Sequence, residues 1–141
     1  MSTPAEVIRQ LLLDLSLGFE SGDWSVYVSF LPDRPDSAIC VYDTMGRQDG
    51  RIMATGEQIE HPGVQVRVRG QNYIETHAKA TAIARALDLQ MRTEVVISTE
   101  EAYRLDNVSR TSPIIPLGVE EEGDRRRHNF TINAVLTLQE I

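Results

Sequence analysis

Residues Asp43 to Gly70 read DTMGRQDGRIMATGEQIEHPGVQVRVRG, and how this stretch is divided decides the fold. It opens where one apolar run ends, Ala38-Ile39-Cys40-Val41-Tyr42, and closes in another, Val64 to Arg69. In the second run the valines alternate with Gln65, Arg67 and Arg69, the period-two pattern of a strand buried on one face. The first run is apolar on both faces, as a central strand is. Between them lie Asp43 to Gly63, with Gly46, Gly50, Gly56 and Gly63 and charges throughout, which reads as a long loop between two strands. Loops longer than about 12–15 residues are uncommon in compact domains unless they have a task. This one carries no phosphate cradle, no metal-ligand spacing and no nucleophile beside a base. Its expected role is to bind a partner, through charged side chains such as Arg47, Asp49, Arg51, Glu57 and Glu60.

Upstream, Thr3, Pro4 and Glu6 form a helix start of the T-x-x-E type. Val7, Ile8, Leu11, Leu12, Leu15 and Phe19 then follow at helical spacing, up to Gly18 or Gly22. Trp24 to Leu31 reads as a short strand stopped by Pro32. Downstream, Asn72 and Glu75 open a second helix that runs to about Leu87. Its expected inner stripe is Tyr73, Ile74, His77, Thr81, Ala84 and Leu87. Met91 to Ser98 is a strand, followed by a short turn and an extended segment, Tyr103 to Arg110. Pro113 and Pro116 imply an irregular crossing. The last strand, Asn129 to Leu138, sets Phe130, Ile132, Ala134, Leu136 and Leu138 on one face. The expectation is a single α+β domain over residues 1–141: one mixed, largely antiparallel sheet with two helices packed on one face. The other face, with Arg67, Arg69, Arg92 and Glu94, is expected to be polar and available.

The chain of 141 residues has a net charge of −7, which argues against a grip on nucleic acid, because phosphate binding rests on basic clusters. Of the 14 basic residues only Lys79 is lysine, and arginine is the cation favoured at protein interfaces. Cys40, the single cysteine, sits in an apolar strand and reads as a buried small hydrophobe. No apolar run approaches the roughly 18 residues of a membrane span, and Glu6 and Asp14 interrupt any signal-peptide pattern. The expected setting is soluble and cytoplasmic.

Catalytic and metal patterns do not assemble. His61, His77 and His128 lie far apart, with no second ligand at metal-binding spacing. Neither Gly-rich phosphate motif nor a G-x-S-x-G elbow occurs. The expectation is no enzyme, no metal and no cofactor. The sharpest charge feature is Glu120-Glu121-Glu122-Gly123-Asp124-Arg125-Arg126-Arg127. One reading is a hairpin around Gly123-Asp124 whose acidic and basic arms pair across strands. The other is a bipolar knob in which Glu120, Glu121, Glu122, Arg125, Arg126 and Arg127, with Arg67 and Arg69 on the open sheet face, meet a neighbouring copy head to tail.

Several pieces together resemble the tail terminator, or tail completion, proteins of long-tailed bacteriophages. They are Tyr42-Asp43-Thr44 followed by Asp49-Gly50, then Pro62 to Gly70 leading into an alanine-rich helix. Arg110-Thr111-Ser112-Pro113, Pro116-Leu117-Gly118, and Arg126 with Phe130 and Asn133 complete the order. The resemblance spans most of the chain, Ile39 to Leu138 above all. It implies a structural virion protein of the tail or neck, assembled in the host cytoplasm. In related proteins six copies form a ring that caps the tail tube, stops its polymerisation and offers a docking surface to the head-proximal connector. DNA would pass through the lumen without specific binding. A head–tail joining or stopper protein, another minor capsid protein of the neck, is the neighbouring reading. A small α/β module binding a ligand or RNA is the more distant one.

Overall fold

The computed structural model describes residues 2–51, 53–54, 58–122 and 125–140, with the side chains of all of these except 48–51, 58–60, 122 and 140. Two helices, α1 (Pro4–Asp14) and α2 (Tyr73–Asp88), accompany seven strands. The strands are β1 (Ser25–Val28), β2 (Ala38–Arg51), β3 (Gln58–Gly70), β4 (Met91–Ser98), β5 (Glu101–Arg110), β6 (Ile115–Glu122) and β7 (Arg125–Glu140). The class is α+β. The sheet order is β1-β2-β3-β7-β5-β4, and β6 also pairs with β7. It is mixed: β1 runs parallel to β2, and every other pairing between these strands is antiparallel.

The capping box at the start of α1 forms as the sequence predicts. The Thr3 hydroxyl accepts from the Glu6 amide at 3.3 Å, and the Glu6 carboxylate accepts from the Thr3 amide at 3.2 Å. Asp43 accepts a further first-turn amide, that of Ala5, at 3.0 Å, and so satisfies a donor that a helix start leaves without a partner. The helix is shorter than its apolar stripe suggests. It ends at Asp14, the chain reverses through Ser16 at φ 60°, and Phe19 leaves the helix to bridge Ser25 beside β1. The first strand is likewise confined to Ser25–Val28, between Trp24 and Ser29, both at positive φ.

The long loop is where the sequence reading fails. Most of it is strand: β2 and β3 continue as a two-stranded ribbon, pairing Asp43 with Val64, Arg47 with His61 and Arg51 with Gln58. The register shifts between Thr44 and Arg47, and this irregularity accounts for two of the glycines. A Cβ on Gly46 would collide with the His61 carbonyl oxygen, and one on Gly63 would lie 2.5 Å from the Thr44 hydroxyl. Here glycine permits two backbones to touch, and its presence does not signal a loop.

The core lies on the sheet face that carries Ile39, Val41, Val64, Val66, Val68, Phe130, Ile132, Ala134 and Leu136. The register aligns them: Val64, Val66 and Val68 stand opposite Ala134, Ile132 and Phe130. Val7, Ile8, Leu11 and Leu12 of α1 join the same cluster, as do Ala80, Ile83, Ala84 and Leu87 of α2. For α2 the buried stripe is Thr76, Ala80, Ile83, Ala84 and Leu87, while Tyr73, Ile74 and His77 are exposed. The predicted stripe is therefore corrected by rotation. Thr76 and Ala80 face inward in the first two turns and Ile83, Ala84 and Leu87 beyond them, while the larger side chains of the first turn fall outside. At the far side, β5 and β6 run end to end along β7, which pairs Arg110 with Ala134 and then Ile115 with Thr131.

Candidate functional site

The segment between β1 and β2 crosses one end of the sheet, and three arginines hold it there. Arg69, buried on β3, donates to the carbonyl oxygens of Pro32 and Pro35, both at 2.7 Å, and of Asp36 at 3.2 Å. Arg127, also buried, reaches the Asp33 carbonyl at 2.9 Å and its carboxylate at 3.1 Å. Arg125 donates to the Asp33 carboxylate at 3.1 Å and to the Asp36 carboxylate. The network continues across the strands. Glu120 accepts from Arg127 at 2.9 Å, from Arg67 at 3.1 Å and from Asn129 at 3.0 Å. Guanidinium forks suit this work because they present several donors in a plane.

The electrostatics follow from the geometry. Hydrogen bonding from Arg125 holds the Asp33 carboxyl below its ordinary range. Bonds to Asp36 and then Asp33 push the Arg125 guanidinium up, whereas burial pulls Arg69 down from its ordinary value. On the same sheet face burial raises the Cys40 thiol, which is buried as its sequence setting predicts. The chemistry of this cluster is anchoring: each guanidinium named here is bonded to acceptors of the same chain.

The predicted interface residues are thus distributed unevenly. Arg67, Arg69, Glu120, Arg125 and Arg127 come together in the clamp, facing inward to their own chain. Arg126 and Glu121 remain well exposed, joined to each other at 3.2 Å. The open polar face expected around Arg69 is covered at this end by residues 32–36. The paired-hairpin reading describes the strands here, since Glu120 stands opposite Arg127, Glu121 opposite Arg126 and Glu122 opposite Arg125. Arg47 is exposed on the β2–β3 ribbon. The side chains of Asp49, Arg51, Glu60 and Glu122, and Glu57 altogether, lie outside the described residues, as do Gly123 and Asp124.

The histidines are dispersed. His61 belongs to the ribbon, where the sequence reads as a loop, and its Nδ1 lies 3.1 Å from the Thr137 hydroxyl. His77 and His128 flank Tyr73 and Phe130, with ring centroids 5.4–5.5 Å apart for the Tyr73–His128 and His77–Phe130 pairs. Among the described residues no group of three or more His, Cys, Asp or Glu side chains could hold a metal ion. A groove of about 630 Å³ is lined by His77, Arg110, Thr111, Ser112, Pro113 and Ile114; Arg110 there is paired with Asp88 at 2.9 Å.

Sequence reasoning missed the large apolar side chains left on the sheet margins: Phe19 and Phe30 by β1, and Ile115, Leu117 and Val119 on β6. The alternation of Ile115, Leu117 and Val119 is visible in the sequence, but Pro113 and Pro116 made this segment read as an irregular crossing, whereas it is strand β6.

The pieces of sequence that carried the resemblance converge in space. Asp43 caps α1, Gly63 meets Thr44, and Asn133 accepts from Gln65 at 3.1 Å and from the Thr111 amide, through its carbonyl, at 3.0 Å. Residues 13–136 match the bacteriophage tail terminator protein family, from the end of α1 into β7. The chain belongs to that family, and its role is structural, in the phage tail. No curated protein matches the sequence. Among the described residues no helix is long and apolar enough to cross a membrane.

Proposed function

We propose that copies of this chain close into a ring, six by analogy with the family, that caps the tail tube and ends its polymerisation. The opposite side of the ring receives the head-proximal connector or stopper protein, and DNA passes through the lumen. The family match over 13–136 carries the reading, because it takes in α2, strands β1 to β6 and most of β7. The net charge of −7 supports it: a lumen without an excess of cations does not retain phosphates as DNA passes. The charged residues of the ribbon, and Glu121 and Arg126 of the Glu120–Arg127 hairpin, remain candidate contacts with subunits or partners. Assembly takes place in the host cytoplasm and acts by geometry, without a cofactor.

The test is a phage lacking this gene, with its tails measured by electron microscopy. Tails of variable or excessive length that fail to join filled heads are the expected result. Tails of normal length that still join heads would overturn the terminator reading. Normal-length tails that fail only to join would favour a head–tail joining protein.

A further inference from the structure

The β2–β3 ribbon leaves the sheet at Thr44 and Gly63. Up to that point β3 is laddered to β7, and the last rung is Gly63 with Val135. The next residue, Pro62, has no N–H with which to continue the ladder. Beyond it, among the described residues, the two strands pair only with each other, from Arg47–His61 to Arg51–Gln58, for about 20 Å at the usual rise per residue. A two-stranded ribbon on its own is marginally stable. A tilt of about 20° at its base, within the range over which strand twist varies, would carry its tip about 7 Å.

Two side chains hold the ribbon from opposite faces. On the helix side, Asp43, which stands opposite the core residue Val64, accepts from the Ala5 amide at 3.0 Å. The start of α1 leaves this one donor for a distant residue to meet. Pro4 has no N–H, the Glu6 amide goes to Thr3 Oγ1 at 3.3 Å, and the Val7 amide goes to the Thr3 carbonyl at 3.2 Å. A carboxylate is also the group that the positive end of a helix favours. As a support α1 is firm: Val7, Ile8, Leu11 and Leu12 are buried, and Arg9 Nε donates to the Val26 carbonyl at 3.0 Å.

On the other face, which His61 shares with Gln65 by strand alternation, the His61 Nδ1 lies 3.1 Å from the Thr137 hydroxyl of β7. This side-chain contact takes over where the ladder with β7 stops. Between the two anchors Gly46 lies against the His61 carbonyl and Gly63 against the Thr44 hydroxyl, so the base of the ribbon has little room to bend.

Resting on the reading of the ribbon as a contact with subunits or partners, we infer that Asp43 and His61 are its positioning residues. Asp43 ties the ribbon to the start of α1 and His61 ties it to β7, so it leaves the body at one fixed angle, and assembly uses it in that direction. An arm already held in its working direction spares the interface the cost of ordering it on contact.

The experiment uses the full chain with spin labels at Met53→Cys, in the turn beyond Arg51, and Ala82→Cys on α2, both exposed sites, while Cys40 is buried. Pulsed electron paramagnetic resonance gives the distance distribution between the labels, and cosedimentation with purified tail tubes gives binding. Into this parent go Asp43→Ala; Asp43→Asn, which keeps an acceptor oxygen; Thr137→Val, which removes the hydroxyl at nearly constant shape; and Thr3→Ala, which weakens the same helix start without touching the ribbon. All are compared well below their unfolding midpoints. The parent is expected to give one narrow peak. Asp43→Ala combined with Thr137→Val should widen it at least about twofold and weaken tube binding at least about tenfold, with Asp43→Asn close to the parent. Thr3→Ala should leave width and binding unchanged. An unchanged width in the combined variant would overturn the inference. So would equal broadening by Thr3→Ala, which would trace the effect to the helix start alone. Broadening with parent-like tube binding would overturn it too, by showing that assembly does not use this direction. A parent with a narrow peak that neither associates nor binds tubes would take down the ring reading, and with it the use assigned to the ribbon.

Discussion

Replacing Arg69 with methionine isolates the contribution of the clamp to stability. The side chain is 3 % exposed, and its guanidinium holds the carbonyls of Pro32 and Pro35 at 2.7 Å and of Asp36 at 3.2 Å. Methionine is close in length and apolar, so the substitution removes the bonds without opening a large cavity. Asp33 keeps donors from Arg125 and Arg127, whereas the Pro32 and Pro35 carbonyls lose theirs. Hydrogen bonds to a charged group contribute about 1.5–3 kcal/mol each, so two of them set a gross loss of about 3–6 kcal/mol. Two effects reduce it. The prolines are only half-buried, so water can replace part of the bonding, and a buried guanidinium's desolvation cost disappears with it. A net loss of about 3 kcal/mol is expected, a large share of the roughly 5–15 kcal/mol of an ordinary domain. Urea unfolding followed by tryptophan fluorescence is a suitable readout, since Trp24 lies beside the clamped segment. Arg69→Lys, which retains charge without the fork, should fall between parent and Arg69→Met. A loss under about 0.5 kcal/mol for Arg69→Met, within the ordinary range for surface changes, would refute the reasoning.

Asp33→Asn tests the pH linkage. Because Arg125 depresses the folded-state value, the carboxylate stabilises the fold above its unfolded value of about 4, and this contribution is lost as pH falls through the lower folded value. Acidification from neutrality to about pH 3 should therefore cost the parent more urea resistance than Asp33→Asn; equal losses would count against the linkage. Ile83→Ala should cost about 2–5 kcal/mol, and Ile74→Ala about 0.5 kcal/mol or less, so thermal melts of the pair report which side of α2 is inside. Gly46→Ala should strain the ribbon by about 1–3 kcal/mol through the His61 carbonyl, with faster amide exchange in residues 43–47 and 61–64; unchanged exchange there would show that the backbone can give way.

Legibility in the sequence followed the range of the interaction. The α1 capping box, the alternating valines of β3 and the inward face of β7 are local patterns, and each was readable. The ribbon was not, because Gly46 and Gly63 have the composition of a loop and the reason for glycine lies in a partner strand. The same limit applies to α2: only knowledge of how closely the sheet approaches explains why Thr76 and Ala80 face inward and Tyr73 outward. At the Glu120–Arg127 hairpin the charges were visible and their cross-strand pairing was one of two readings. Their third partner, the loop at Asp33 and Asp36, lies about 90 residues away in sequence. The apolar margins were hidden for the opposite reason: a Phe or Leu in a sequence is presumed buried until the neighbours that would cover it are known.

The position of β7 also has a consequence in time. It is the last of the seven strands in chain order, yet it stands between β3 and the pair β5 and β6. Residue 70 ends β3 and residue 140 ends β7. At ordinary translation speeds of about 5–20 residues per second, the valine strand is made roughly 4–14 s before its neighbour is complete. Throughout that interval Val64, Val66 and Val68 have a ladder on the β2 side only. A nascent chain in this state exposes an apolar strand edge, with only distant pairings available to close it, and such topologies fold slowly.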